Sequence, residues 1–250
     1  ALWSGGIAIC DGGFLDLQTT TSNAYPTVIN GGSIGNSSST ASVYSGPITL
    51  QTDAQINIGS TGGLGLSGAI SGNYGVTVMG TGTGGAKFLA NNSYTGVTTI
   101  STGSVTLGTA SISTGDFGAT SQIVNNGAIY IYRPSSFTIS APISGTGSIN
   151  FGSTSATVTL SANNTFTGSI TISGASSRVN VAASGSLPNN AVVSITSLAG
   201  MPVLDLSAQT GPITFASLSG TGSVTASLIL GAGGLTVAGG TTTFFGQITG

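Results

Sequence analysis

The sequence predicts an all-β protein whose short strands coil into a β-solenoid, built from repeats of roughly 70–80 residues. Apolar residues alternate with small polar ones in short runs, which is the period of half-buried strands. One stretch, residues 92–108, recurs at residues 164–172 and more weakly at 242–250, with aromatic lags of 72 (166 − 94) and 78 (244 − 166). Helical periodicity is absent, and a composition rich in Gly, Ser and Thr disfavours helices.

The composition bounds the classes of function. The chain has 250 residues, enough for one elongated domain or two compact ones. Only 3% of them are charged, against roughly 25% in an ordinary soluble domain, so charge repulsion cannot keep copies apart and we expect association. Three cations, Lys87, Arg133 and Arg178, are too few and too scattered to follow a phosphate backbone, so no nucleic-acid partner is predicted.

Membrane and redox signals are equally sparse. No run of about 18 apolar residues is present, so we predict no membrane-spanning segment in this chain. The single cysteine, Cys10, excludes an intramolecular disulfide; we expect a small buried apolar residue, with an intermolecular bridge as the alternative. The first residue, Ala1, fits cleavage at a small-residue site and hence export, although a trimmed chain would look the same.

The chain divides at about residue 45. Residues 1–45 predict an irregular N-terminal β segment or cap, with a turn at residues 11–13 and Trp3 covering one end of the core. Residues 46–250 predict the β-solenoid repeats. Within them, residues 46–50 reappear as 211–215, and 69–72 reappear as 142–145 and 217–220, at spacings of 73 (143 − 70) and 75 (218 − 143).

A finer rhythm inside each repeat consists of two apolar residues separated by one residue, flanked by Gly, Ser, Thr or Asn. Strands this short cannot form a core of their own, whereas stacking them in turns joins inward residues into continuous ladders. A string of small β-sandwiches stays open as an alternative, because the repeat length also suits such a domain. The pairs are Leu64/Leu66, Val76/Val78, Val105/Leu107, Ile129/Ile131, Val158/Leu160, Ile170/Ile172, Val179/Val181, Leu204/Leu206 and Leu235/Val237.

The recurring stretch resembles the autotransporter-associated β-strand repeat of bacterial autotransporter passenger domains. The resemblance lies in Asn92-Ser93-Tyr94-Thr95-Gly96 followed by Thr98-Thr99-Ile100, and in Asn164-Thr165-Phe166-Thr167-Gly168 followed by Ile170-Thr171-Ile172. It covers roughly half of the chain. The resemblance implies a right-handed parallel β-helix exposed on, or beyond, a bacterial outer membrane.

The sequence predicts no enzyme, no catalytic residue, no metal site and no cofactor. Without His or Glu, Ser–His–acid and Cys–His arrangements are excluded. The aspartates are expected to be turn and surface residues, and two of them would have to converge for a carboxylate-pair hydrolase. They are not clustered as calcium ligands. The five aspartates are Asp11, Asp16, Asp53, Asp116 and Asp205.

Asparagine and threonine patterns leave further alternatives. The pairs Asn91/Asn92 and Asn163/Asn164 occupy matching places, where we expect an internal ladder of stacked amides, with sugar contact or glycosylation as the alternative. Threonine pairs could form a flat ice-binding face, but their separations do not keep one turn length, so we expect ordinary outward threonines. These pairs are Thr81/Thr83, Thr157/Thr159, Thr165/Thr167 and Thr241/Thr243.

The ends of the solenoid carry the functional prediction. An open solenoid exposes unpaired backbone groups, which proteins that stay single blunt with charge, proline or a cap. No charged residue follows Asp205, and residues 247–250 fall within a repeat, so either the sequence is cut from a longer one or another subunit covers that end. We therefore expect a secreted structural protein that assembles with copies of itself, head to tail, into an extracellular fibre or surface layer on a bacterial cell. The alternative is an autotransporter-type adhesin passenger that binds glycan or a host protein.

Overall fold

The computed structural model describes residues 5–19, 24–153, 155–196, 200–220, 226–239 and 243–250. Over these ranges the chain forms β-strands, turns and no helix, and the strand pairs are parallel. The predicted all-β solenoid is thereby confirmed. The chain separates into two compact units: unit 1 comprises residues 1–108 and 114–128, and unit 2 comprises residues 109–113 and 129–250.

Unit 1 stacks its strands into three parallel sheets, in the orders β1-β3-β6-β9, β2-β4-β7-β10-β12-β14 and β5-β8-β11-β13. Strands that follow one another along the chain therefore belong to different sheets, which is the topology of a solenoid. The bounds are β1 Ile7–Cys10, β2 Phe14–Asp16, β3 Thr27–Asn30, β4 Ser33–Asn36, β5 Ser42–Tyr44, β6 Ile48–Leu50, β7 Ala54–Ile58, β8 Leu64–Leu66, β9 Ile70–Gly72, β10 Val76–Gly80, β11 Ala86–Phe88, β12 Thr98–Ile100, β13 Ser104–Leu107 and β14 Ile123–Asn125.

Unit 2 is built mainly from two parallel sheets, in the orders β15-β18-β20-β22-β24-β26 and β16-β19-β21-β23-β25-β27. Each turn contributes one strand to each of these sheets, and the short strand β17 lies between β16 and β18 in the chain. The bounds are β15 Ala128–Ile131, β16 Phe137–Ile139, β17 Ile143–Ser144, β18 Ser148–Phe151, β19 Thr157–Leu160, β20 Ser169–Ile172, β21 Arg178–Val181, β22 Ala191–Ile195, β23 Val203–Asp205, β24 Ile213–Ser219, β25 Ser227–Ile229, β26 Leu235–Val237 and β27 Gln247–Thr249.

The core consists of ladders of inward side chains, one from each turn. Val78 lies in register with Ile56 of the turn before and Ile100 of the turn after, and all three are buried. One turn here takes 22 residues (100 − 78), so the repeat of roughly 70–80 residues found in the sequence spans about three turns. Each inward residue thus buries its apolar surface against its neighbours in the adjacent turns.

The N-terminal segment joins the sheets of the regular turns. Strand β1 pairs with β3, which pairs with β6, and the register places Ile9 and Ile29 in one buried ladder. The expectation that Cys10 is buried is wrong: it is exposed, because it follows the inward Ile9 and successive side chains alternate between the two faces of a strand. Trp3 lies outside the described residues, and the predicted boundary at residue 45 stays a prediction.

The recurring aromatic stretch forms a corner of the solenoid. It stacks directly on the Ile-Ser-Gly segment of the turn before it, which is the recurring stretch at residues 70–72 and 143–145. In unit 1 the Ser93 amide donates to the carbonyl oxygen of Ile70 (2.8 Å) and the Thr95 amide to that of Gly72 (3.0 Å). The aromatic motif and the Ile-Ser-Gly stretch therefore recur with the same spacing, because they form the same corner in successive turns of the solenoid.

Unit 2 repeats this stacking with the same spacing. The Thr165 amide donates to the carbonyl oxygen of Ile143 and the Thr167 amide to that of Gly145, both at 2.8 Å. In both units the glycine that ends the aromatic motif lies too close to the turn before it for a side chain; a Cβ on Gly168 would lie 2.0 Å from the Gly147 carbonyl oxygen. The motif glycine is therefore required by the close approach of two backbones.

The aromatic residue at each corner points into the core and is fully buried. In unit 1 the Tyr94 hydroxyl bonds the hydroxyl of Thr98 (2.7 Å), which in turn donates to Thr120 (3.0 Å). Burial raises the pKa of Tyr94 well above its ordinary value, so this hydroxyl stays protonated. In unit 2 the aromatic is Phe166, and the residue four positions later is the apolar Ile170, so the aromatic and its neighbour change together.

This matching predicts strong coupling between Tyr94 and Thr98. Tyr94→Phe should lower the free energy of unfolding by about 1 kcal/mol, and Thr98→Val by about 1–3 kcal/mol, because the second change leaves the tyrosine hydroxyl buried without that partner. The double variant recreates an apolar pair like the one in unit 2, so it should cost less than the two single changes together. Denaturant unfolding of the four proteins measures this cycle; strictly additive costs would contradict the pairing.

Candidate functional site

Two of the five aspartates organise the backbone of unit 1 by bonding neighbouring turns. Asp16 accepts hydrogen bonds from the Ser37 amide (2.9 Å), the Ser37 hydroxyl (2.6 Å) and Gln18 (2.8 Å). Burial acts to raise the pKa of Asp16, but these hydrogen bonds outweigh it and the pKa lies below its ordinary value. Asp53 accepts from the Gly75 amide one turn later (2.7 Å).

Two further aspartates in unit 1 belong to other turns. Asp116 accepts from the amides of Asn92 (2.8 Å) and Gly118 (2.9 Å), and so holds the corner of the aromatic motif. Asp11 has a φ of 45°, a left-handed conformation that Asp tolerates in turns. Among the described residues, no group of three or more His, Cys, Asp or Glu side chains is placed to hold a metal ion.

The fifth aspartate, Asp205, forms an ion pair in unit 2 with Arg178 of the preceding turn. Its other carboxylate oxygen accepts from the Ser207 amide (2.9 Å). Burial acts to raise the pKa of Asp205, but hydrogen bonds from Ser207 and Arg178 and the positive charge of Arg178 outweigh it, so the pKa lies below its ordinary value. Arg178 also donates to Asn180 (2.8 Å), so Arg178, Asn180 and Asp205 link two successive turns by side-chain contacts.

A lowered carboxylate pKa predicts a defined pH dependence. The stabilisation is complete above the unfolded pKa of about 3.9 and is lost as pH falls through the lower folded value. Because the Arg178 side chain is 38% exposed, solvent screening limits the pair to at most about 1 kcal/mol. Asp205→Asn should therefore lower the free energy of unfolding by that amount or less near neutral pH.

Urea unfolding of the wild type and of Asp205→Asn as a function of pH measures this contribution. The two curves should converge in strong acid, where the wild-type carboxylate is itself protonated. A difference that stays constant down to strong acid would mean that packing, rather than charge, accounts for the effect.

The other arginine of the chain, Arg133, is buried and does not lie on the surface. Arg133 is buried, its guanidinium carbon lies 4.4 Å from the centre of the Phe137 ring, and its Nη2 donates to the Ser135 hydroxyl (2.8 Å). This cation–π contact and the hydroxyl acceptor tie Arg133 into its own strand–turn segment.

The threonine pairs do not form one ladder. Thr157 and Thr159 lie in β19, where their partners in register on the next turn are Arg178 and Asn180. The pairs at residues 81/83 and 165/167 lie in loops outside the strands, and Thr241 lies outside the described residues.

The corner asparagines join three turns, but by a different geometry from the predicted stack of amides. In unit 1 the Asn92 side-chain oxygen accepts from the Ile70 amide of the turn before (2.8 Å), and its Nδ2 donates to the Asp116 carbonyl oxygen of the turn after (2.6 Å). The amide bonds backbone groups on both sides rather than another asparagine. Each such side chain therefore replaces a strand-to-strand hydrogen bond at a corner.

Asn164 repeats this bridge in unit 2. Its oxygen accepts from the Ile143 amide (3.0 Å), and its Nδ2 donates to the carbonyl oxygens of Ala162 and Ser186 (both 2.8 Å). The preceding asparagine, Asn163, is exposed. A structural role therefore belongs to the second asparagine of each pair, Asn92 and Asn164.

A groove of about 400 Å³ lies beside this corner of unit 2. It is bounded by residues 163–167 on one side and 186–189 on the other, and a smaller groove of about 110 Å³ extends from Ser186 and Asn189 to Gln209 and Pro212. Sequence reasoning named Asn163 and Thr165 but missed the second wall, since nothing in the pattern of residues 186–189 distinguishes it from an ordinary turn.

The last described turn of unit 2 has a second unusual surface. Val237 is 39% exposed although its partner in register, Phe215, is fully buried, and Ile248 is 52% exposed although its partner Leu228 is fully buried. Phe245, between them in the chain, is also largely exposed. Val237 and Ile248 therefore expose apolar side chains at positions that are buried in the preceding turn.

No protein-family model matches this chain, and no curated protein or solved structure is significantly similar to it. The β-solenoid is compatible with a passenger domain of the family that the motifs resemble, and that relationship stays an interpretation of the motifs. In the ranges that the structure describes, no helix has the length and apolar character needed to cross a bilayer.

Proposed function

We propose that this chain is a secreted structural β-solenoid that associates head to tail with its own copies, as part of an extracellular fibre or surface layer. The observation that carries the proposal is the exposure of two apolar side chains in the strands β26 and β27. Val237 and Ile248 continue buried ladders of unit 2, yet both side chains are exposed. A further turn in register would bury them as the preceding turns are buried.

The occupant that fits this surface is the first turn of another copy. A parallel solenoid can only be extended by a strand running in the same direction, and β1 and β2 are terminal strands of their sheets just as β26 and β27 are of theirs. Head-to-tail contact preserves that direction, whereas contact between two identical ends reverses it. Because a head-to-tail contact that does not close generates a linear polymer, the expected product is a filament.

The charge distribution supports the same conclusion. Residues 206–250 contain no charged side chain, so no charge in this segment repels a second copy. An uncharged contact is also insensitive to ionic strength. The resemblance of the corner motifs to bacterial passenger repeats supports an extracellular, cell-surface location.

The proposal predicts concentration-dependent association that survives high salt. Val237→Lys together with Ile248→Lys should weaken association by at least tenfold, because each apolar side chain contributes about 1.5–3 kcal/mol when buried and a buried lysine opposes the contact. Sedimentation velocity over a concentration series, with electron microscopy of the assembled material, provides the measurement.

The matched control is Val97→Lys together with Met79→Lys in unit 1. Val97 and Met79 are 40% and 41% exposed, but the residues that follow them already bond the next turn: the Thr98 amide donates to the Gln122 carbonyl oxygen and the Gly80 amide to that of Thr102. The change should therefore leave association unaltered. A wild-type chain that stays monomeric up to its solubility limit, or one whose association falls equally in both variants, would contradict the proposal.

A further inference from the structure

The groove of unit 2 exists because its corner is left open where the matching corner of unit 1 is closed. In unit 1 the turn after the motif folds back on it: the Ala119 amide donates to the Tyr94 carbonyl oxygen (3.1 Å) and the Ser121 amide to that of Thr95 (3.2 Å). Phe117 is buried there in an edge-to-face contact with Phe88. The space beside the motif is thereby filled.

The chain of unit 2 contacts the corner at Ser186 and then leaves it. Asn164 bonds the Ser186 carbonyl oxygen just as Asn92 bonds that of Asp116, but the backbone then turns away, with Asn190 at a φ of 64° and its amide donating to Thr214 of the following turn. Pro188 has no amide hydrogen with which to bond back to the corner, as Ala119 and Ser121 do in unit 1. In the described part of the chain, no backbone amide donates to the carbonyl oxygens of Phe166 or Thr167.

The lining of the groove is polar but uncharged. Asn163 and Asn189 are exposed, and among the described residues neither side chain makes a hydrogen bond. Each offers a carbonyl oxygen and an NH₂ group side by side, and the hydroxyls of Thr165 and Thr167 both donate and accept. No Asp, Lys or Arg lines either part of the groove.

Apolar groups complete the lining. Leu187 in one wall is partly exposed, Pro188 beside it is buried, and the fully buried Leu206 lies beneath the smaller extension. The main volume of about 400 Å³ falls within the roughly 300–1,000 Å³ of ligand pockets, and such sites combine apolar surface with a few polar groups that fix orientation. Paired amides suit adjacent hydroxyls, and the partly exposed Leu187 side chain suits the C–H face of a ring.

We propose that this groove binds a neutral oligosaccharide. An anionic or cationic ligand would be desolvated there without a counter-charge, which disfavours both. A peptide added as an extra strand is also disfavoured, because both walls, residues 163–167 and 186–189, are loops rather than strand edges. The assignment does not depend on self-assembly, since every lining residue belongs to unit 2 of one chain.

The test is an NMR titration of the whole chain with neutral hexasaccharides of glucose, mannose, galactose and N-acetylglucosamine, and with an acidic hexagalacturonate for comparison. At least one neutral sugar should shift the amide signals of residues 163–167 and 186–189. Its affinity should be the same in low and high salt, because no charged group takes part. The acidic sugar should not compete for the site.

The double variant Asn163→Ala/Asn189→Ala should weaken that sugar about tenfold or more, since each lost hydrogen bond is worth roughly 0.5–1.5 kcal/mol. Both residues are exposed, so the fold should persist. Asn91→Ala, the matching change at the closed corner of unit 1, should leave the affinity unaltered. Failure of all four neutral sugars to shift the groove signals, unchanged affinity of the double variant, or preference for the acidic sugar would overturn the proposal.

Discussion

Stacking in register is the constraint on which the rest of this structure depends. Each inward side chain lies against the residue one turn before it and the residue one turn after it, as Ile56, Val78 and Ile100 do. The environment of a core position is therefore set by two neighbours along the axis, and a polar group can enter the core only if a neighbour satisfies it. Tyr94 and Thr98 meet this condition as a pair, whereas unit 2 uses the apolar pair of Phe166 and Ile170.

Corners meet the same constraint by other means, because the strand hydrogen bonds stop there. Asn92 and Asn164 supply an acceptor to the turn before and a donor to the turn after, and so continue the axial bonding where the backbone bends. The chain beyond the corner can then take different paths in the two units. One extra covering segment closes the motif in unit 1, and its departure in unit 2 creates the groove, so a repeated scaffold carries a local site without any change in the core.

Much of the fold was predictable because alternation and repetition report directly on stacking. Except for Leu235/Val237, the predicted pairs at i and i+2 are buried, and the two recurring stretches predicted that matched layers exist. The burial of Cys10 was predicted wrongly, because residue type was weighed above its place after an inward isoleucine. The stacked-amide geometry also differed, since backbone groups at a corner compete for the same amide.

The groove could not be predicted from the sequence. Its presence depends on whether residues 186–189 fold back over the corner or leave it, and that choice rests on contacts with the following turn, such as the Asn190 amide to Thr214. The exposure of Val237 and Ile248 became visible only from their register with the buried residues Phe215 and Leu228.

The central proposal is that each turn is ordered by the turn beside it, and that a second copy covers the exposed side chains of β26 and β27. Native-state hydrogen exchange, followed residue by residue in dilute and in assembled protein, tests this most directly. In dilute protein, amides of inner strands such as β10 and β20 should be strongly protected, and those of β27, which among the described strands pairs only with β25, should exchange much faster; assembly should slow the exchange of β27. Protection of β27 in the dilute monomer equal to that of β20, or no gain on assembly, would contradict the account.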